Sequence, residues 1–561
     1  MGNPLRALSR KMWNSHQHTK DVVTFATLRS EFNAAGQATA ELPKDKAFYG
    51  KMGEEKTGNS RDNDQRDAYS LTQIVGLILG PLLFFGILSF LTLPGLSDEG
   101  RAVLAITAWI AVWWITEAIP LGITSLMPLI LLPMMGAVDG GTAASAYGDS
   151  LIFLFIGGFA IALALEKWNL HERIALSIIG AVGTSTSGLV LGFMLATGFI
   201  SMWVSNMATV MLILPIGTAI IAKVVTLMKE DGVHSEEEET KFTKAIIFAI
   251  GFGATIGGSA TLIGTPTNLV LAGLSKELLG IDISFATFFA FAFPLIVLLM
   301  LFGVVYITKI AYPMKVKKIA NGREFVIERK KELGKMSYEE KVVLSVFLFT
   351  AFMWLTRTFI WTDLIPGLSD TMIAMVSIVL LHAIPASKEN SGRILGADSL
   401  KNMPWGVLLL VGGGLALAAG FNGTDLASWI GNQLLLLDGA SYVMILAIPA
   451  LLAIAMTQLA PNTATVTILL PIGASLALAI DVHPLPVMTA IAMSAGFAFM
   501  LPIGTPSNAI VFATGKITMI DMLKKGTWLT ILSFVLILAF VYFILPFVFG
   551  INQYEYPDAL K

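Results

Sequence analysis

Cysteine is absent from all 561 residues. That removes disulfides, thiolate metal sites and cysteine nucleophiles from consideration. Charge is scarce too: Asp, Glu, Lys and Arg make up 14% of the chain, against about 25% in a soluble domain. The net charge is −2, and no basic cluster outside the flanks of the apolar stretches has the density of a nucleic-acid patch. Nucleic acid is therefore not an expected partner. The first seventy residues lack the apolar core of a signal peptide and are mixed in charge. They read as a soluble tail, 1–70, with some helix around residues 25–35. Metal-ligand clusters, phosphate loops and catalytic triads are also missing. Neither enzymatic activity nor a cofactor is expected.

What the chain has is apolar length. Hydrophobic residues account for 55% of it, and the mean hydropathy is +0.74. Stretches such as 74–93, 103–119, 288–307 and 528–549 reach the roughly 20 residues that span a bilayer. The expected class is an all-α polytopic membrane protein.

Basic residues set the expected orientation. The tail holds eleven Lys or Arg, and the segment 309–341 is rich in base, including Lys317, Lys318, Arg329 and Lys331. Lys388, Arg393 and Lys401 form a third basic group, whereas 361–370 has neither Lys nor Arg. The basic segments are placed in the cytoplasm and 361–370 outside. Spans one to four then lie near 72–93, 101–119, 121–137 and 150–166, followed by an amphipathic stretch at 169–179 on the inner surface. A re-entrant hairpin at 187–225 enters from the cytoplasm. The glutamates at 236–239 read as part of a cytoplasmic loop. A fifth span is broken at 259–268, a sixth returns at 288–310, and spans seven to nine occupy 342–360, 370–385 and 405–421. A second hairpin at 441–480 enters from outside. A tenth span is broken at 504–508, and an eleventh ends near 549. The expected domains are the tail, a first repeat at 71–310, a basic connector at 311–341, a second repeat at 342–549 and an external C-terminal tail at 550–561.

The repeat rests on duplicated blocks in the same order. Ser205-Asn206-Met207-Ala208-Thr209, ending in Pro215-Ile216-Gly217, answers Pro461-Asn462-Thr463-Ala464-Thr465, ending in Pro471-Ile472-Gly473. Gly264-Thr265-Pro266-Thr267-Asn268 answers Gly504-Thr505-Pro506-Ser507-Asn508. Glu117-Ala118-Ile119-Pro120 and Phe155-Ile156-Gly157-Gly158 answer His382-Ala383-Ile384-Pro385 and Leu410-Val411-Gly412-Gly413. With one hairpin inside and the other outside, the halves are inverted repeats. Paired interrupted segments in inverted repeats point to a transporter's binding site. Broken backbone survives at membrane depth only where protein or a wet cavity covers it.

The chemistry at these breaks is neutral. Asn and Ser oxygens and unwound carbonyls suit a hard cation such as Na⁺. Helices restarting at the breaks offer N–H groups and positive dipole ends to an anion. No Lys or Arg lies near a hairpin tip or in a Gly-Thr-Pro break, and Lys223 falls at the cytoplasmic end of the first hairpin. A dianion buried without counter-charge is costly, so cations at two pseudo-symmetric sites would supply it. The expectation is coupled uptake of an anion with Na⁺. For Glu117 and His382 a structural capping role outranks transport chemistry.

These residues resemble the divalent anion/sodium symporter family, the INDY-type di- and tricarboxylate transporters. Trp114-Ile115-Thr116-Glu117-Ala118-Ile119-Pro120-Leu121 fits as well, and the resemblance covers about 72–549. It implies eleven transmembrane helices, two re-entrant hairpins, a homodimer and an elevator movement of a transport domain against a scaffold. It implies one Na⁺ at Ser201, Ser205, Asn206 and Gly264, and another at Thr457, Ala460, Asn462 and Gly504. It also implies a substrate touching Asn206, Asn462, Thr463, Thr265, Pro266, Thr505 and Pro506. Met207 and Pro461 depart from the family's Ser-Asn-Thr pattern, each removing a hydroxyl that could face the substrate. The expected protein is a multi-pass symporter of the bacterial inner membrane. Its N-terminus is inside and its C-terminus outside, with membrane lipid around it. It would carry a C4-dicarboxylate such as succinate, malate or fumarate with Na⁺ as coupling ion. Alternatives are a dicarboxylate or citrate exchanger or a sulfate carrier of the same family. An ion channel is the alternative of another class, which inverted hairpins argue against.

Overall fold

A computed structural model describes residues 69–183, 185–230, 235–314, 328–434 and 439–557. The expected tail helix at 25–35 lies outside them, as do much of the basic connector and the last four residues. Leu71–Val511 with Ile517–Lys561 forms one compact unit. Phe512–Lys516 falls outside that unit, and within this segment the Lys516 N–H donates to Thr514 Oγ1 at 3.3 Å.

The first half opens with α1 (Leu71–Phe90) and α2 (Asp98–Thr116). Ser97 caps α2 by accepting from the Gly100 N–H, and Asp98 and Glu99 complement the positive end of its dipole. Glu117 ends α2 in a left-handed conformation, φ 46°, and Pro120 blocks continuation. The third expected span is two short helices, α3 (Leu121–Thr124) and α4 (Met127–Met134). Pro128, in the first turn of α4, has no N–H to donate to the Thr124 carbonyl, which explains the interruption. The long α5 (Ser150–Lys167) is followed by the amphipathic α6 (Leu170–Val182). The first hairpin is α7 (Thr186–Ser201) and α8 (Asn206–Glu230). The broken span is α9 (Glu236–Gly258) and α10 (Pro266–Leu279), and α11 (Phe285–Val305) closes this half.

The second half runs to a similar plan, with fewer helices before its hairpin. It comprises α12 (Tyr338–Thr356), α13 (Asp370–Ala383), α14 (Trp405–Asn422) and the short α15 (Leu426–Gln433). Its hairpin is α16 (Tyr442–Thr457) and α17 (Asn462–Ala479). Its broken span is α18 (Pro484–Ala495) and α19 (Pro506–Ala513). It ends with α20 (Met519–Phe543) and α21 (Leu545–Phe549). Among the described residues the regular structure is helical, and eight helices are long and apolar enough to cross a membrane.

Two expectations change. The glutamates at 236–239 are not a loop but the first turn of α9. Four carboxylates there meet the helix's positive end, and Lys241 pairs with Glu237 at 2.7 Å and Glu238 at 3.2 Å. The break in the tenth span begins at Gly496, eight residues earlier than expected, because α18 stops at Ala495.

Close packing places the hairpins. A Cβ on Gly257 of α9 would overlap the Gly198 backbone of α7, so only glycine allows the two helices to approach this closely. The two broken spans meet at hydroxyls: Thr255 Oγ1 lies 3.2 Å from Ser507 Oγ. A Cβ on Gly496 would sit 3.5 Å from both Ser259 Oγ and Thr267 Oγ1.

Candidate functional site

Each hairpin tip is closed by the amide of its asparagine. In the first, Ser201 Oγ donates to Asn206 Oδ1 at 2.8 Å. In the second, Thr457 Oγ1 lies 2.7 Å from Asn462 Oδ1 and 2.7 Å from the Ala495 carbonyl. One hydroxyl proton serves one of these acceptors at a time, which leaves lone pairs on the amide oxygen. Ser201 and Thr457 are fully buried, and both asparagines are half-buried.

The broken spans bring carbonyls to the tips. A Cβ on Gly258 would collide with Asn206 Oδ1, and one on Gly264 would collide with the Gly258 carbonyl and lie 2.8 Å from the Ser201 carbonyl. Ser201, Asn206 and Gly264 are thus together, with the Gly258 carbonyl among them. Ser205 joins as a cap: its Oγ accepts from the Ala208 N–H at 3.3 Å. The second site is looser. A Cβ on Gly504 would stand 3.6 Å from the Thr457 carbonyl and 3.6 Å from Gln458 Oε1. Ala460 is buried at the same tip. Ala498 occupies the position matching Gly258, and its Cβ would lie 3.0 Å from a Cβ on Gly504.

Each break is tied to its tip, by opposite means. Thr261 Oγ1 donates to the Met202 carbonyl at 2.5 Å and accepts from the Gly264 N–H at 3.0 Å. In the other repeat the tip supplies the side chain: Gln458 Oε1 accepts from the Met500 N–H at 3.2 Å. Gln458 Nε2 is buried with no hydrogen-bond partner among the described residues.

The residues expected to face substrate fall into two groups. Met207 is 47% exposed, Thr463 and Pro461 are half-buried, and Pro506 is exposed. Thr265 and Thr505 are buried, and each bonds a hydroxyl two residues on, Thr267 at 3.3 Å and Ser507 at 2.9 Å. Thr265 and Thr505 share one extended conformation, φ −141°, ψ 139° and φ −144°, ψ 149°. Four helices, α8, α10, α17 and α19, begin at the site. Neither Thr265 nor Pro461 caps its helix through a side chain, so α10 and α17 present uncapped positive ends.

Thr463 opens into a cavity of about 550 Å³. Gln73, Glu117, Pro120, Gly406 and Val407 line its other sides. Glu117 is the residue that terminates α2, and its carbonyl accepts from Gln73 Nε2 at 3.2 Å. His382 bonds the Ile378 carbonyl at 2.8 Å and Ser399 Oγ at 2.9 Å, tying down the end of α13. Sequence reasoning missed Gly258, Thr261, Gln458, Ala498 and the side chains of Asn268 and Asn508. Only the two asparagines carried a signal, as the last letters of a duplicated block.

Residues 71–549 match the family described as the sodium:sulfate symporter transmembrane region. The chain is 47% identical over 507 residues to a sodium-dependent dicarboxylate transporter of Staphylococcus saprophyticus, covering 90% of this chain and 96% of that protein. It is 44% identical over 492 residues to the transporter of the same name in Staphylococcus aureus, covering 87% and 94%. Two solved structures share the fold. The Neisseria gonorrhoeae MtrF structure, described under antimetabolite efflux pumps, is 11% identical with a TM-score of 0.51, covering 87% of this chain and 96% of that one. The Alcanivorax borkumensis YdaH transporter is 12% identical with a TM-score of 0.51, covering 87% and 100%.

Proposed function

We propose that this chain, which belongs to the sodium:sulfate symporter family of transmembrane proteins, carries a small dicarboxylate across the membrane with Na⁺. It is a multi-pass membrane transporter and not an enzyme. The observation that supports coupling is the pair of oxygen clusters, one around Ser201, Asn206 and Gly264 and one around Thr457, Asn462 and Gly504. Each joins a hairpin tip to a broken span through neutral oxygens, the ligand type that Na⁺ takes. Ser205 and Ala460 complete the two sets.

The dianion lies between the tips, against Asn206, Thr463 and Asn462 and the starts of α10 and α17. Thr265, Pro266, Thr505 and Pro506 frame it. No Lys or Arg occurs in either tip or break, so bound Na⁺ supplies the counter-charge and binding of the two is mutually favourable. The cavity at Thr463 is the route between this position and one membrane face. By the basic-segment orientation that face is cytoplasmic, with the N-terminus inside and the C-terminus outside. The eleven crossings, the homodimer and the elevator movement belong to the same proposal.

Proteoliposomes test it. An inward Na⁺ gradient should drive accumulation of succinate above equilibrium, and dissipating the gradient should abolish it. Counterflow with succinate, malate, fumarate, citrate and sulfate identifies the anion. Accumulation that ignores Na⁺ but needs internal anion would replace symport with exchange. Flux that never saturates would point to a channel.

A further inference from the structure

We propose that Asn268 and Asn508 are positioning residues for the two cation sites, each holding the broken-span loop that presents the ligand glycine. The inference rests on the sodium reading above. Both asparagines are wholly buried. Asn268 Nδ2 donates to the Ser259 carbonyl at 3.1 Å and the Thr261 carbonyl at 2.8 Å. Asn508 Nδ2 donates to the Ala498 carbonyl at 2.7 Å and the Leu501 carbonyl at 3.1 Å. In both repeats one acceptor lies seven residues upstream. Oδ1 of each has no hydrogen-bond partner among the described residues. The amide therefore acts through its two donors alone, a task that aspartate, with no donor when ionised, cannot perform.

The effect reaches the ion through the loop. Asn268 gathers the carbonyls of Ser259 and Thr261 at the start of α10. Thr261, held there, uses its hydroxyl on the Met202 carbonyl and the Gly264 N–H. That fixes the peptide plane of Gly264 against the tip. In the other repeat Asn508 holds Leu501 next to Met500, whose N–H is taken by Gln458. Neither asparagine needs to touch the ion, because a few tenths of an ångström in a ligand carbonyl is set by the bonds behind it.

The test reads Na⁺ in two ways, on full-length protein. In proteoliposomes, Asn268→Ala should raise the Na⁺ concentration for half-maximal succinate uptake about tenfold. At saturating Na⁺ the succinate KM should stay within about twofold of the parent. In detergent, the rise in Tm that Na⁺ produces in the parent should shrink in the variant. Asn268→Asp should fail in the same way despite its matching shape. Asn508→Ala should reproduce the pattern. If an alanine variant does not fold, Asn268→Ser and Asn508→Ser, which keep one donor, should give intermediate values. A lowered Tm with an unchanged Na⁺ half-saturation and an unchanged Na⁺-induced rise would overturn the proposal and leave a packing role. A parent protein that shows neither Na⁺-dependent uptake nor a Na⁺-induced rise would overturn the sodium reading as well, so the two failures are distinguishable.

Discussion

Met207 stands beside Asn206 at the start of α8, 47% exposed, where its counterpart at the start of α17 is Thr463. A thioether gives a carboxylate no donor. Met207→Thr should therefore tighten dicarboxylate binding. A hydrogen bond to a charged group contributes about 1.5–3 kcal/mol, which is roughly ten- to a hundredfold in affinity. KM for succinate, malate, citrate and sulfate at saturating Na⁺ is the measurement, and an unchanged profile would remove position 207 from the substrate's surroundings. Asn206→Ala and Asn462→Ala each delete the amide oxygen that closes a tip. Uptake should collapse in both, with a weaker apparent Na⁺ affinity in any residual activity. Normal Na⁺ dependence in either variant would make that tip structural only. His483, in the turn before α18, is buried, and burial lowers its pKa from 6.5 to about 4. Between those values the unfolded chain binds a proton that the folded chain does not, so stability falls as pH drops from about 6.5 toward 4. Melting temperature against pH should show this slope, and His483→Asn should flatten it.

At the scale of elements, two contacts decide how the hairpins sit. Gly257 and Gly198 bring α9 and α7 into backbone contact, and Gly257→Ala should force them apart. Overpacking of this kind costs typically 1–3 kcal/mol, and the variant should melt lower in detergent whatever the Na⁺ concentration. Recovery of parental stability would mean that the helices can separate freely. The proposed inverted arrangement is open to labelling. The cysteine-free chain gives a clean background, and Glu236, Lys331 and Glu555 are exposed. Cysteines at the first two positions should react only from the cytoplasm and one at Glu555 only from outside. Labelling of Glu236 and Glu555 from the same face would overturn the odd number of crossings.

The whole molecule carries two oxygen clusters of unequal tightness. Around Gly264 the oxygens of Ser201, Gly258 and Asn206 crowd together, while around Gly504 the corresponding atoms stand back and Ala498 contributes a methyl group. Cooperative Na⁺ dependence with two distinguishable affinities is the expected readout of uptake across a wide Na⁺ range. Only 17% of the apolar window of α1 is covered within one copy, a face that suits the proposed lipid and homodimer contacts. Light scattering of the detergent-solubilised protein should find two copies per particle.

The sequence by itself determined the class and several of the places where helices stop. These are local matters. Apolar length makes a span, proline and glycine interrupt it, and a block such as Gly-Thr-Pro-x-Asn interrupts it in the same way wherever it occurs. The helix pairs α7–α8 and α16–α17 are each interrupted at a duplicated block for this reason. The third span also shows the limit, since its two prolines, Pro128 and Pro133, were visible and yet it was read as continuous. What only tertiary structure decided is which oxygens converge. Gly258 and Ala498 occupy equivalent positions and differ by one methyl, and nothing local says that either stands against a tip. Gln458 gave no duplicated signal because its counterpart, Met202, uses its backbone instead. Asn268 and Asn508 were legible as repeated letters, but their acceptors lie seven to ten residues back across a break, a distance that only the folded loop closes. The glutamates at 236–239 failed in the opposite direction. Their charge suggested a loop, and the positive end of α9 with Lys241 made them a helix start.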